Sequence, residues 1–528
     1  MRRLSRAVRG VALLALAAAM APGPLGAAAR ITIVNANTGT AGFNDPTAAT
    51  PVGGNTGTTV GQQRLIAFQH AADIWASLLD SAVEIRVQAS FESLDCTADS
   101  ATLGSTGTIQ VVSDFEGEEF SGTWYGTALA NKLAGHDLMP GNPNSDADDI
   151  RSQFNSDIGT SSCLSGAEWY YGLDGNHGTK TDLVTVVLHE LAHGLGFVTF
   201  VDTDGTEFQG EPDIFERSIL DISTGKHWIE MSDAERAVSF VNARKVAWAG
   251  PRVTAAVPST LAAGTPLMRV EAPSAVAGDY AVGTADFGPA LASHSVSGTL
   301  AAAQDPADTA GASTTDACSP ITNASEIAGK IALVDRGTCL FTIKVKNAQN
   351  AGAIAAVVTD NVAGGPPPGM GGTDSTITIS SVRVTQADGA ALRAQLTAGV
   401  RLTLSVDPSV RSGADPGGRM LLYATDPAQP GSSISHWDDS ATPNLLMEPS
   451  INDDLGHGVD LTLPALQDMG WSDDADGDGV PDAQDNCPFT NNPDQADSNH
   501  DGIGDVCERS LHKPQSPTHP TRTIPPRS

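Results

Sequence analysis

The pattern of apolar and polar positions changes character several times along the chain. Gln62–Leu79 places Leu65, Ile66, Phe68, Ala71, Ala72, Ile74, Trp75, Leu78 and Leu79 at helical spacing, which predicts an amphipathic helix. Val83–Ala89 alternates apolar with polar or small residues, as a half-buried strand does. Ile31–Val34 predicts an earlier strand, a Gly/Thr/Asn/Pro-rich loop runs on to about residue 61, and Thr108–Phe115 predicts a further strand. Leu183, Val184, Val186, Val187 and Leu188 form an apolar run broken only by Thr185. Thr181 or Asp182 stands where a helix cap belongs, and Gly194 and Gly196 stand where that helix must stop. Residues 201–250, with Trp228, Met231 and Trp248, read as a packed continuation of the same domain and carry no evident chemistry.

The apolar helix contains Leu188-His189-Glu190-Leu191-Ala192-His193-Gly194-Leu195-Gly196-Phe197, an H-E-x-x-H motif. Residues four apart share one helix face, so both imidazoles can reach one zinc ion. Glu190, beside the first histidine, can take a proton from a water that the metal has acidified. Two histidines and a glutamate in so apolar a segment are costly unless they are used. A catalytic zinc needs a third protein ligand. In the compact H-E-x-x-H-x-x-G-x-x-H spacing Gly196 fits, but Thr199 occupies the third histidine position. His436 is the best later candidate, with His457, Glu207, Glu211 and Glu216 as rivals.

His436 lies in Ser433-Ile434-Ser435-His436-Trp437-Asp438. Leu445-Leu446-Met447-Glu448-Pro449 follows, and then a segment ending in Gly470-Trp471. In this order the chain resembles the leishmanolysin-like metzincins, with a displaced third histidine in an S-H-W segment and a methionine turn. The resemblance implies His189, His193 and His436 as zinc ligands, Glu190 as general base and Met447 as the apolar floor beneath the metal. It also implies a helix and a twisted sheet ahead of the zinc helix, with a strand near Ile109–Val112 lining the cleft and pairing with an extended peptide.

With 528 residues the chain is too long for one core. Arg2, Arg3, Arg6 and Arg9, the apolar stretch Val11–Met20 and the small residues Gly26–Ala29 read as an export signal over residues 1–29. The apolar stretch is shorter than the about 20 residues that span a bilayer, and no later segment approaches that length. Export suits the six cysteines, which fall as local pairs: Cys96 with Cys163, Cys318 with Cys339, and Cys487 with Cys507. A net charge of −32 argues against nucleic acid as a partner.

From about residue 260 the chain becomes rich in Ala, Gly, Val and Thr. It carries Gly329-Lys330-Ile331-Ala332-Leu333-Val334-Asp335-Arg336-Gly337-Thr338-Cys339 and Ala353-Ile354-Ala355-Ala356-Val357-Val358. This segment resembles the protease-associated (PA) domain: a strand, a turn, a helix and a second strand. Lying between His193 and His436, it would be inserted into the catalytic domain at a surface loop with adjacent ends. Residues 473–508 hold alternating carboxylates with turn glycines, which suits hard oxygen ligation of calcium. They resemble the thrombospondin type 3 repeat, with Asp476, Asp478, Asp482, Asp497, Asn499, Asp501 and Asp505 among the expected calcium ligands.

The expected organisation is therefore a leader (1–29) and an α+β metzincin-like catalytic domain in two parts (30–258 and 411–472). An inserted α/β PA domain (259–410), a calcium-bound, disulfide-linked repeat (473–508) and a disordered Pro-rich, basic tail (509–528) complete it. The expected activity is that of a secreted zinc endopeptidase acting on proteins or peptides, with catalytic Zn2+ and structural Ca2+. A calcium-dependent adhesion protein with a degenerate protease core, and a zinc hydrolase acting on non-peptide substrates, are the competing readings.

Overall fold

The computed structural model describes residues 28–528 except 99, 140–147, 292–293, 453, 473, 475–477, 479, 481–484, 488–489, 491, 499–502, 508–521 and 524–528. The leader expected over residues 1–29 lies outside them apart from Ala28 and Ala29. Ala28 bridges to Asp80, and Ala29 donates to the Leu79 carbonyl.

The first body runs β1 (Ile31–Asn35), α1 (Val60–Leu78), β2 (Ile85–Glu92), β3 (Gly104–Thr108), β4 (Gln110–Val112), β5 (Tyr125–Gly126), α2 (Thr127–Ala134), β6 (Ile150–Asn155), β7 (Trp169–Tyr170), β8 (Thr181–Asp182) and α3 (Leu183–Gly194). β9 (Ile219–Asp221), β10 (Lys226–His227), α4 (Asp233–Phe240), β11 (Val246–Trp248) and α5 (Pro251–Thr260) continue it. The main sheet has the order β1-β2-β6-β3; β1, β2 and β6 are parallel, and β3 is antiparallel to β6 at the edge. Thr59 caps α1 by accepting from the Gln62 amide, and the helix buries Ala67, Phe68, Ala71, Ala72 and Trp75 along one face.

Every residue of α3 is buried. Each buried Leu or Val contributes about 1.5–3 kcal/mol, which offsets the cost of enclosing the polar side chains of the motif. Two indoles hold the helix in place: Trp75 donates to the Leu188 carbonyl at 3.0 Å and Trp471 to the Leu195 carbonyl at 2.7 Å. A Cβ on Gly194 would sit 2.5 Å from Ile150 Cγ2, so glycine sets how closely α3 approaches β6. The stretch 201–250 is part of this body, with Trp228, Met231 and Trp248 in its core.

The second unit runs β12 (Ala263–Ala272), β13 (Gly278–Ala281), β14 (Gly283–Thr284), β15 (Val296–Ala302), α6 (Ala324–Ile327), β16 (Ile331–Asp335), α7 (Phe341–Asn350), β17 (Ala355–Thr359), β18 (Ser380–Val384), α8 (Gln386–Ala394) and β19 (Arg401–Arg411). It forms one sheet of order β13-β12-β19-β15-β16-β17-β18-β14, with β16, β17 and β18 parallel. The continuous apolar runs of β16 and β17 follow from burial on both faces. Ala263 pairs with Arg411 and the Ser412 amide donates to the Ala262 carbonyl at 3.0 Å, so the chain enters and leaves this unit side by side. Beyond it the chain rejoins the first core through Trp437, Leu445, Leu446, Met447 and α9 (Thr462–Leu466).

Disulfides join Cys96 to Cys163, Cys318 to Cys339 and Cys487 to Cys507. Among the described residues no helix is long and apolar enough to cross a membrane. Of the tail read as disordered, Arg522–Thr523 is described: it forms β20, antiparallel to β4.

Candidate metal centre and cleft

Helical periodicity puts His189 and His193 one turn apart on α3, and His436 reaches them from the returning chain. Their ligand atoms all lie within 4.8 Å of one another. Each ring is oriented by a backbone carbonyl. His189 Nδ1 donates to Leu446 O at 2.7 Å, His193 Nδ1 to Phe197 O at 2.8 Å, and His436 Nδ1 to Ser432 O at 2.8 Å. With the proton held on Nδ1, every Nε2 presents a lone pair inward. His189 Nε2 and His436 Nε2 are 3.3 Å apart. Two lone pairs facing at that distance repel unless a cation lies between them. A tetrahedral zinc with nitrogens at about 2.0–2.1 Å sets those nitrogens about 3.3–3.4 Å apart, so the donor set fits that ion.

Burial lowers His189 to about 4. Burial, and then the neighbouring His189, lower His193 to about 3. His436 is held well below its ordinary value by burial and then by the other two rings. All three are thus neutral, the form that ligates metal. Burial pushes Glu190 up to about 8, against a smaller opposing pull from a Thr106 hydrogen bond.

The loops carry as much of the site as the helix does. Gly196, at φ +122°, turns the chain so that Phe197 O returns to His193. Asp460 accepts from the Leu446 amide at 2.5 Å, fixing the peptide whose carbonyl holds His189. Met447 is fully buried, and its carbonyl accepts from the Trp437 amide at 2.7 Å, next to His436. Thr199, where compact spacing would place a histidine, donates its amide to Ser435 Oγ at 3.2 Å and its hydroxyl to Asp213 at 2.8 Å.

A cleft of about 1060 Å³ runs along α3 on both sides of the histidines. Asp95, Leu164, His177, Lys180, Asp182 and Leu455 line one end, and Val198, Val201, Asp202 and Phe240 the other. Gly104, Ser105 and Thr106 of β3 form a rim. The cleft-lining strand is therefore β3; the strand expected at Ile109–Val112 is β4, outside the cleft lining. Gly-Ser-Thr-Gly-Thr has no apolar alternation to mark it as a strand, and its ladder with β6 holds it in place. A Cβ on Gly104 would lie 2.7 Å from Glu190 Cγ, so only glycine lets the strand pass the glutamate.

The rival ligands lie elsewhere. His457 Nε2 bonds Asp182 Oδ2 at 2.7 Å. Glu207 and Glu216 face Arg236 at 2.9 and 3.5 Å, and Glu211 lies against Gly122. Of the expected calcium ligands, Asp476, Asp482, Asn499 and Asp501 lie outside the described residues. Asp478 accepts from the Val480 and Asn492 amides, and Asp505 from Ser498. Neither they nor Asp497 belong to a metal-sized group among the described residues.

Three family models match separate stretches: PA domain at residues 296–392, SPBPB7E8-like at 60–215, and thrombospondin type 3 repeat at 472–495. Among curated relatives, ER degradation-enhancing alpha-mannosidase-like protein 3 of Homo sapiens is 39% identical over 79 residues, 15% of this chain and 8% of that protein. Receptor homology region, transmembrane domain- and RING domain-containing protein 1 of Oryza sativa subsp. japonica is 44% identical over 80 residues, 15% of each chain. Probable leucine aminopeptidase 2 of Aspergillus fumigatus is 30% identical over 142 residues, 24% of this chain and 28% of that protein. The chain thus spans less than a third of each of these relatives. Among solved structures, the aminopeptidase from Aneurinibacillus sp. strain AM-1 has a TM-score of 0.22 at 17% identity, over 37% of this chain and 42% of that one. The subtilisin-like protease Apa1 from Pseudoalteromonas sp. AS-11 has 0.22 at 19%, over 40% and 41%.

Proposed function

We propose that this chain is an extracellular zinc-dependent endopeptidase of the leishmanolysin-like metzincin type, with a PA domain inserted in its catalytic domain and a calcium-binding repeat after it. One observation carries the reading: three neutral imidazoles, each tied through Nδ1 to a main-chain carbonyl, turn their Nε2 atoms to a common point beside Glu190 in an open cleft. Zinc bound there would supply a Lewis acid that polarises the scissile carbonyl and acidifies a water. Glu190 would take a proton from the attacking water and return it to the leaving amine. Burial raises the proton affinity of Glu190, and a zinc ion beside it would offset that rise and keep the carboxylate ionised for the first proton. A bound peptide could extend along the free edge of β3, its main chain pairing with Gly104–Thr108. A cleft continuing on both sides of the histidines favours cleavage within a chain over removal of a terminal residue. Three disulfides and the thrombospondin-type repeat support an extracellular setting.

The test is casein cleavage by the purified protein beside Glu190→Gln, with zinc content measured in both. Wild type should cleave, and the variant should keep its metal while losing about 10²–10⁴-fold in rate. Equal activity in the two would remove Glu190 from the mechanism. No cleavage by zinc-loaded wild type, on casein or on peptides, would favour the adhesion reading.

A further inference from the structure

We infer that Asp182 is a specificity-determining residue that accepts a cationic side chain, lysine or arginine, of the peptide substrate. This deepens the proposed peptidase reading and rests on it. Asp182 precedes His189 by seven residues, two helical turns, so it shares a face of α3 with His189 and His193 and lines one end of the same cleft. Its side chain is 4% exposed. Oδ2 is occupied, accepting from Thr185 Oγ1 at 2.8 Å and from His457 Nε2 at 2.7 Å. Oδ1 is buried and has no hydrogen-bond partner. The carboxylate makes no capping bond to the amides of α3, although it stands at the cap position. Helix capping therefore does not account for it.

A carboxylate oxygen without a partner is costly inside a protein, and a charge-assisted bond from a ligand would offset that cost. The surroundings favour a cation. Asp95 adds a second carboxylate to this end of the cleft. Its one lysine, Lys180, is engaged by Glu168 at 2.7 Å. His177 Nδ1 is spent on the Lys180 carbonyl at 2.8 Å. The opposite end is lined by Val198, Val201, Asp202 and Phe240, with one carboxylate where this end has two. Seven residues of helix span about 10.5 Å, and three residues of extended peptide span about 10 Å. The recognised side chain would then lie about three residues from the bond cleaved, on the side facing the start of α3.

The experiment uses the full-length, zinc-loaded protein and matched peptides with one cleavage site. Lysine or the similarly long but neutral methionine is placed at each position up to four residues on either side. The readout is the lysine-to-methionine ratio of kcat/KM. Wild type should favour lysine by about tenfold or more at one position two to four residues away. Asp182→Asn, which keeps the side chain's shape, should bring that ratio near one. Asp182→Lys, where it folds, should drive that ratio below one. A purely structural role would lower all peptides together and leave the ratio unchanged. A ratio near one in wild type, or an unchanged ratio in Asp182→Asn, overturns the inference alone. Failure of the zinc-loaded wild type to cleave any peptide overturns the peptidase reading and the inference with it.

Discussion

At the residue scale, the histidines are only as well placed as the groups behind them. Asp460 touches no imidazole, yet it holds the Leu446 peptide whose carbonyl orients His189. Asp460→Ala should weaken zinc affinity by about 10–100-fold, read by competition with a chelator. An unchanged affinity would show that the Leu446 peptide is fixed without it. Gly104 is the second case. Its missing Cβ leaves room for Glu190, so Gly104→Ala must displace either β3 or the glutamate. We expect kcat to fall by about 10²-fold while bound zinc stays at the wild-type level. Loss of zinc together with rate would mean that the strand shift has spread to the histidines.

At the element scale, what could be read ahead of the structure follows from which elements are held by their own sequence. α1, β1, β2 and α3 declare themselves by periodicity, and each appears within a few residues of its expected bounds. The H-E-x-x-H spacing needs nothing but a helix, so two of the three histidines could be paired from sequence. His436 came from order along the chain and from resemblance, because the contact that brings it to α3 spans 247 residues. β3 carries no such signal, because its five residues gain their place from β6 and α3 rather than from any pattern of their own. The same holds for Thr199, whose bonds to Ser435 and Asp213 no local signal announces. The end of α3 was legible, since glycine at Gly196 answers to a positive φ that other residues adopt at a cost. Gly196→Ala meets no close neighbour, its nearest atom being Met469 Cε at 3.8 Å. Its cost should therefore be backbone strain of about 1–3 kcal/mol, seen as a lower denaturation midpoint and weaker zinc retention.

At the scale of the whole molecule, the ionisable groups sealed in the first body set opposing pH limits on the metal-free protein. Glu190 and Glu448 are each pushed up to about 8 and Asp149 to about 7, by burial first in every case. Below the unfolded carboxyl range of about 4 both states hold these protons and the groups have no effect. Above it the unfolded chain ionises first, so stability falls as pH rises from about 4 towards 8. The histidines act in the other direction. His189 at about 4 and His193 at about 3 stay neutral in the fold while unfolded imidazoles take protons below about 6.5. Stability therefore falls again as pH drops from about 6.5 towards 3. The net charge of −32 adds self-repulsion at the alkaline end. Chelator-treated protein should thus be most resistant to urea between about pH 5 and 6.5. Zinc should stabilise it throughout the range from about pH 5 to 8, because the folded imidazoles are already neutral there, and most at the alkaline end, where a cation offsets the charge of Glu190. Urea midpoints measured across pH 4–9, with and without zinc, decide the matter. A zinc increment as large in His436→Ala as in wild type would mean that the metal binds away from the three histidines.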